Sequence, residues 1–73
     1  MLLGATMPWK RLPAVVTELR HARGLTQEQL ARRAKVSRGY IADLEAGHRK
    51  NPSVPVLKRL AKALGVPVTE LLG

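Results

Sequence analysis

Seventy-three residues are expected to form one small domain, with no separate catalytic or ligand-sensing domain beside it. Cysteine is absent, which excludes disulfides, thiolate zinc sites and cysteine nucleophiles together, so stability must come from helix packing or association. Thirteen Lys and Arg against five acids give a formal charge of +8, a field that draws polyanions: nucleic acid first, an anionic membrane surface second. No apolar run approaches the roughly 20 residues of a spanning helix, and Met1 to Met7 lack the charged and apolar regions of a signal peptide. A cytoplasmic, soluble chain with no membrane partner is expected.

Residues 1–11, MLLGATMPWKR, fall outside the periodic pattern that follows, and Pro8 and Pro13 bracket the stretch from Trp9 to Leu12. Two readings stay open. The segment is either a tail, with Met7 a natural start, or an arm. As an arm it would put Lys10 and Arg11 on phosphate, or pack Leu2, Leu3 and Trp9 against a neighbour. Residues 12–73 then form the domain proper. Pro13 suits a first helical turn, Leu12, Val15, Val16 and Leu19 recur at helical spacing, and Gly24 is a left-handed stop. A first helix over residues 13–23 follows.

Thr26 and Gln29 make a capping box for a second helix, with Leu30, Ala31 and Ala34 turned inward and Glu28, Arg32 and Arg33 outward. Ala31 is small enough to let a crossing helix come close. After the turn Ala34-Lys35-Val36, Ser37 is an N-cap, and Val36 and Ile41 are spaced for a hydrophobic staple. Ile41 and Leu44 face inward. Gly39, Ala42, Asp43 and Ala46 fall on the outward face, flanked by Arg38 and Tyr40, until Gly47 ends the helix. The basic loop His48-Arg49-Lys50-Asn51-Pro52 leads to Ser53, cap of a fourth helix. Leu57, Leu60, Ala61 and Leu64 line its inner side, and Lys58, Arg59 and Lys62 its solubilising outer side. Gly65 closes it, and residues 66–72 form a last short helix with Val68, Leu71 and Leu72 on one side. No strand pattern, repeat or low-complexity segment is present.

Residues 26–47 therefore read as two short helices across a tight turn, the layout of a helix-turn-helix. A solvent-facing surface of Gly and Ala on the second helix is odd unless something must approach closely, which favours docking in a DNA groove. Catalysis is not expected: there is no Gly-rich phosphate loop, no paired acids on one face and no nucleophile with a base. His21 and His48 stand isolated from carboxylates and from one another, so no metal, cofactor or small-molecule ligand is expected.

The runs LRHARGLTQEQLARRAKVS, YIADLEAG, PSVPVLKRLAKALGV and the closing ELL resemble the phage-repressor and Cro-type helix-turn-helix family, the xenobiotic-response-element family. The resemblance covers about five-sixths of the chain. It implies an all-α, compact five-helix domain with the helix-turn-helix at its second and third helices. It also implies a transcriptional regulator that binds a roughly palindromic operator on double-stranded DNA as a homodimer. Small controllers of restriction systems, phage regulators and plasmid regulators share this size.

By position, the resemblance makes Gln27 a clamp on a backbone phosphate, helped by the helix dipole. Ser37, Arg38 and Gly39 would meet base edges, with Ala42 and Asp43 further along the same face. Tyr40, His48, Arg49, Lys50 and Asn51 would contact phosphates. Arg20 and Glu45 match a structural ion pair between the first and third helices. Arg38 can bond guanine bidentately, whereas Asp43 either accepts from cytosine N4 or orients Arg38 and repels wrong bases. So few hydrogen-bonding groups leave much of the specificity to DNA shape.

Two positions depart from the family. Lys35 stands where Gly is common in the left-handed turn, and Pro67 stands where a capping Ser or Thr is common. The dimer surface is either the last helix or the N-terminal arm. The rival function is a protein-interaction module, antitoxin-like or targeting.

Overall fold

The computed structural model describes residues 11–49 and 52–72. Five α-helices follow in order, α1 Leu12–Ala22, α2 Gln27–Ala34, α3 Arg38–Glu45, α4 Val54–Leu64 and α5 Val68–Leu72, and the described residues include no strand. The starts of α2, α3 and α4 are set by short polar side chains that satisfy backbone donors a helix leaves free. The Thr26 hydroxyl accepts from Gln29 N at 3.0 Å while Gln29 Oε1 accepts from Thr26 N at 2.8 Å. Ser37 Oγ accepts from Tyr40 N at 3.0 Å and Ser53 Oγ from Val56 N at 3.3 Å.

Two boundaries differ from the sequence expectation. The first helix begins at Leu12 because the Arg11 carbonyl already accepts from Val15 N at 2.9 Å, and Arg23 caps it rather than extending it. The last helix begins at Val68 rather than residue 66. The amide of Val66 is taken by Ala61 O at 3.0 Å, the end of α4, and the Pro67 carbonyl makes the first bond of α5, from Glu70 N at 2.9 Å. Pro67 thus stands just outside the first turn.

The first four helices end alike. An amide five residues on reaches back to close the final turn: Leu25 N to Arg20 O, Val36 N to Ala31 O, His48 N to Asp43 O and Val66 N to Ala61 O, all between 2.8 and 3.1 Å. This closure needs a left-handed residue just before the returning amide. Gly24, Gly47 and Gly65 supply it three times; Lys35, at φ 59°, supplies it at the end of α2. A side chain in that conformation costs roughly 1 kcal/mol relative to glycine.

The helices pack as α2 on α3 and α4, α1 on α3 and α5, and α4 on α5. Their inner stripes meet in one core whose fully buried members include Leu12, Val16, Leu30, Ile41, Leu44, Leu60, Leu64 and Leu71. Leu25, also buried, precedes the Thr26 cap, in staple position to Leu30. Arg59 is not the solvent-facing residue its helix pattern suggests. It is half-buried, and its Nε donates to the Ala34 carbonyl at 2.9 Å, satisfying one of the free acceptors at the end of α2.

Candidate nucleic-acid interface

One carboxylate ties the end of α3 to two other helices. Glu45, in its last turn, accepts from Arg20 Nε at 2.7 Å and Nη2 at 3.0 Å, a two-pronged pair across α1 and α3. Arg20 Nη1 also donates to Leu25 O at 2.7 Å, tying the pair to the connection between α1 and α2. The two side chains are only 11% and 7% exposed. Gln27, the first residue of α2, completes the arrangement by donating from Nε2 to Glu45 Oε1 at 3.0 Å. Three helices thus converge on Glu45.

Burial pushes the Glu45 carboxyl up, but hydrogen bonds from Arg20 and Gln27 and the Arg20 charge outweigh it and hold the group below its ordinary value. The Thr17 hydroxyl lies close by as well, yet its one hydrogen goes to Pro13 O at 2.8 Å, so Arg20 and Gln27 hold the charge. The hydrogen bond to Glu45, less the effect of burial, raises Arg20 in turn.

The start of α3, at the other end of the helix from the clasp, is open to solvent. Ser37, Arg38, Gly39 and Asp43 are exposed, and Ala42 is half-buried. Ser37 Oγ is engaged as the α3 cap, which leaves its hydroxyl hydrogen free to donate. Gly39 has ordinary helical φ, and a Cβ there would meet nothing nearer than Ser37 Oγ at 3.9 Å. Nothing inside the fold therefore requires glycine at this position. Arg38 and Gln27 border one open depression of about 460 Å³, together with Arg20, Thr26 and Glu28. The phosphate candidate of α2 and the base candidate of α3 thus share one surface.

On the other side of α3, the Arg49 guanidinium lies over the Tyr40 ring, 4.4 Å from its centroid. The stack, contributing about 0.5–1 kcal/mol at an exposed site, holds the Arg49 side chain against α3. The His48 amide is spent on Asp43 O at 2.8 Å, while the side chains of His48 and Arg49 stay exposed. Lys50 and Asn51 lie outside the described residues, as does the segment holding Leu2, Leu3, Trp9 and Lys10.

Sequence reasoning missed three of these contacts. Gln27 to Glu45 and Arg59 to Ala34 O join residues 18 and 25 positions apart, and no local pattern marks either. Tyr40 over Arg49 had a signal: a single Tyr followed by a basic loop.

Two short helices across a left-handed turn, the second capped at an exposed N-terminus and bare on its outer face, define a helix-turn-helix domain. The helix-turn-helix family model matches residues 16–71, and the chain belongs to this family of phage-repressor and Cro type, whose members are DNA-binding transcription regulators. It is 45% identical over 58 residues to the immunity repressor protein of Bacillus phage phi105, covering 80% of this chain and 40% of that one. It is 48% identical over 54 residues to the HTH-type transcriptional regulator y4dJ of Sinorhizobium fredii, covering 74% of this chain and 69% of that one. The chain thus spans about two-fifths of the phage repressor's length.

Among solved structures, the restriction-modification controller protein C.AhdI of Aeromonas hydrophila superposes with a TM-score of 0.79 at 36% identity, covering 84% of this chain and 91% of that one. The N-terminal DNA-binding domain of SinR from Bacillus subtilis gives 0.82 at 27% identity, covering 86% and 91%.

Proposed function

We propose that this protein is a sequence-specific transcriptional regulator that binds a roughly palindromic operator as a homodimer. The observation that carries the reading is the outer face of α3. Arg38, Gly39 and Asp43 are exposed there, and the glycine serves no need of the fold. A glycine in a helix costs about 0.5–1 kcal/mol relative to alanine, and close approach of a groove wall explains why it is kept.

In this reading Arg38 reads guanine, Asp43 disfavours wrong bases, and Ser37, Gly39 and Ala42 allow the approach. Gln27 has one Nε2 hydrogen on Glu45 and turns the other to a phosphate. Tyr40, His48, Arg49, Lys50 and Asn51 hold the backbone on the far side of the groove. Two copies would place their α3 helices about 34 Å apart on one face of the duplex. Leu71 of α5 is consumed by the core, which leaves Val68 and Leu72, both half-buried, or the N-terminal segment, to join the copies.

Selection from random duplex DNA tests the activity and reports the operator together. Arg38→Ala is expected to cost about 1–3 kcal/mol and relax preference at one position per half-site. Arg49→Ala is expected to weaken all sequences alike and reduce the salt slope by about one. An unchanged preferred site in Arg38→Ala would remove the base-reading role. Sedimentation across a concentration series tests the dimer, with Leu72→Glu and a chain beginning at Met7 separating its two candidate surfaces. A monomer at every concentration, binding half-sites only, would sink it.

A further inference from the structure

Arg33 and Lys35, at the end of α2, and Arg59 and Lys62, on the second half of α4, line a depression of about 390 Å³ with Ala63 between them. No acidic side chain lines it. The ion pairs among the described residues, Arg20 with Glu45 and Arg32 with Glu28, involve none of these four cations. Arg59 is pinned through Nε to the Ala34 carbonyl, and its Nη donors make no hydrogen bond to a described residue. The depression lies at the opposite end of α2 from Gln27, about 12 Å away along an eight-residue helix. None of its lining residues lines the depression that Arg38 and Gln27 share.

We propose that this depression is a second anion site, built for consecutive phosphoryl groups. Four positive charges around so small a volume repel one another; no carboxylate lines it, and the partly negative C-terminal ends of α2 and α4 offset the four charges only in part. An anion that carries several charges within that volume relieves the repulsion, and successive phosphoryl groups do so with acceptors matched to the guanidinium forks.

Lys35 adds an independent observation. Of the four left-handed residues that end α1 to α4, it alone carries a side chain. Glycine would suit the turn better, and the residue that stands there instead is a cation lining the depression. Two sources could present such phosphates: a free polyphosphate or nucleotide, or a stretch of DNA backbone beyond the one that α3 engages.

Amide NMR titration with tripolyphosphate, at about 150 mM salt where long-range attraction is screened, tests the proposal. Saturable shifts are expected at Arg33, Lys35, Arg59 and Lys62, with Arg38 and Gly39 unmoved. Arg33→Gln combined with Lys62→Gln is expected to weaken the binding about tenfold or more. Lys35→Gly is expected to weaken it while raising the unfolding temperature, an opposition that a purely structural lysine would not produce.

A parallel arm measures a long duplex lacking the operator. A lower affinity and shallower salt slope in the double variant assign the phosphates to DNA. Weakened tripolyphosphate binding with unchanged duplex affinity in the double variant assigns them to a free ligand. The proposal is overturned if both arms match wild type in the double variant, if shifts spread equally over α3, or if polyglutamate binds the depression as tightly as tripolyphosphate. The operator reading is tested separately, by the preferred site of Arg38→Ala, which none of these outcomes decides.

Discussion

The segments α2–turn–α3 and α4–turn–α5 are built on the same backbone device and used in opposite ways. Leu30-Ala31 and Leu60-Ala61 occupy equivalent buried positions, and in each segment Val36 N or Val66 N closes the preceding helix on the alanine carbonyl at 3.0 Å. Beyond the turn they diverge. The second helix of the first unit has eight residues, is capped by Ser37, and is tied by Glu45 to two other helices. That of the second has five, starts after Pro67, and is held by burial of Leu71. A helix that must present its face to a partner needs polar anchors at its back; one that only seals the core needs a leucine. The recurring turn is therefore structural, and the polar anchors distinguish α3 from α5.

The largest expected difference between the units lies in those anchors. Glu45→Ala leaves Arg20 partly buried without its partner and is expected to cost about 3 kcal/mol in urea unfolding, a large share of a small domain's stability. Glu70→Ala in α5, at an exposed residue with no ion pair to a described residue, should stay within about 0.5 kcal/mol. Equal losses at the two positions would erase the distinction.

The same carboxylate predicts a pH dependence. Because Glu45 is held below its ordinary value when folded, the unfolded chain takes up its proton first, and stability falls as pH falls. The contribution is full above the unfolded value of about 4.3 and is lost as pH drops through the lower folded value. Thermal melts from pH 6 to pH 2 should show this decline in wild type, and Glu45→Gln should flatten its share. Next in size is the cap: Ser37→Ala is expected to cost about 1 kcal/mol and to loosen the start of α3, seen as faster amide exchange at Tyr40.

How much of this was legible in the sequence depended on range. Caps and stops are local signals, so Thr26 with Gln29, Ser37, Ser53, Gly24 and Gly65 could be read directly, and the helical stripes then assigned the core. The five-helix fold followed. The start of α5 escaped because Val66 looks like part of its stripe although its amide belongs to the end of α4. At the candidate interface, the outward face of α3 was legible from spacing, and Arg20 and Glu45 came from family position. The contact from Gln27 to Glu45 and that from Arg59 to Ala34 O were hidden, because polar contacts across a core carry no periodicity. Arg59 looks like surface in the sequence because the basic depression exists only once α2 and α4 are packed together.

The smallest expected effect tests the comparison most directly, by exchanging the two turn residues. In Lys35→Gly the left-handed cost of roughly 1 kcal/mol is removed, but glycine also widens the unfolded ensemble, so the net gain should be about 0.5 kcal/mol. Gly65→Lys reverses both terms and should lose about as much, since a Cβ there meets no neighbour within 4 Å and only the backbone is strained. Paired unfolding curves resolve opposite shifts of this size when the two variants are compared with each other. If Gly65→Lys is destabilised while Lys35→Gly gains nothing, Lys35 supplies folded-state stability through a contact that offsets its backbone cost. Its retention would then need no anion at the depression to explain it.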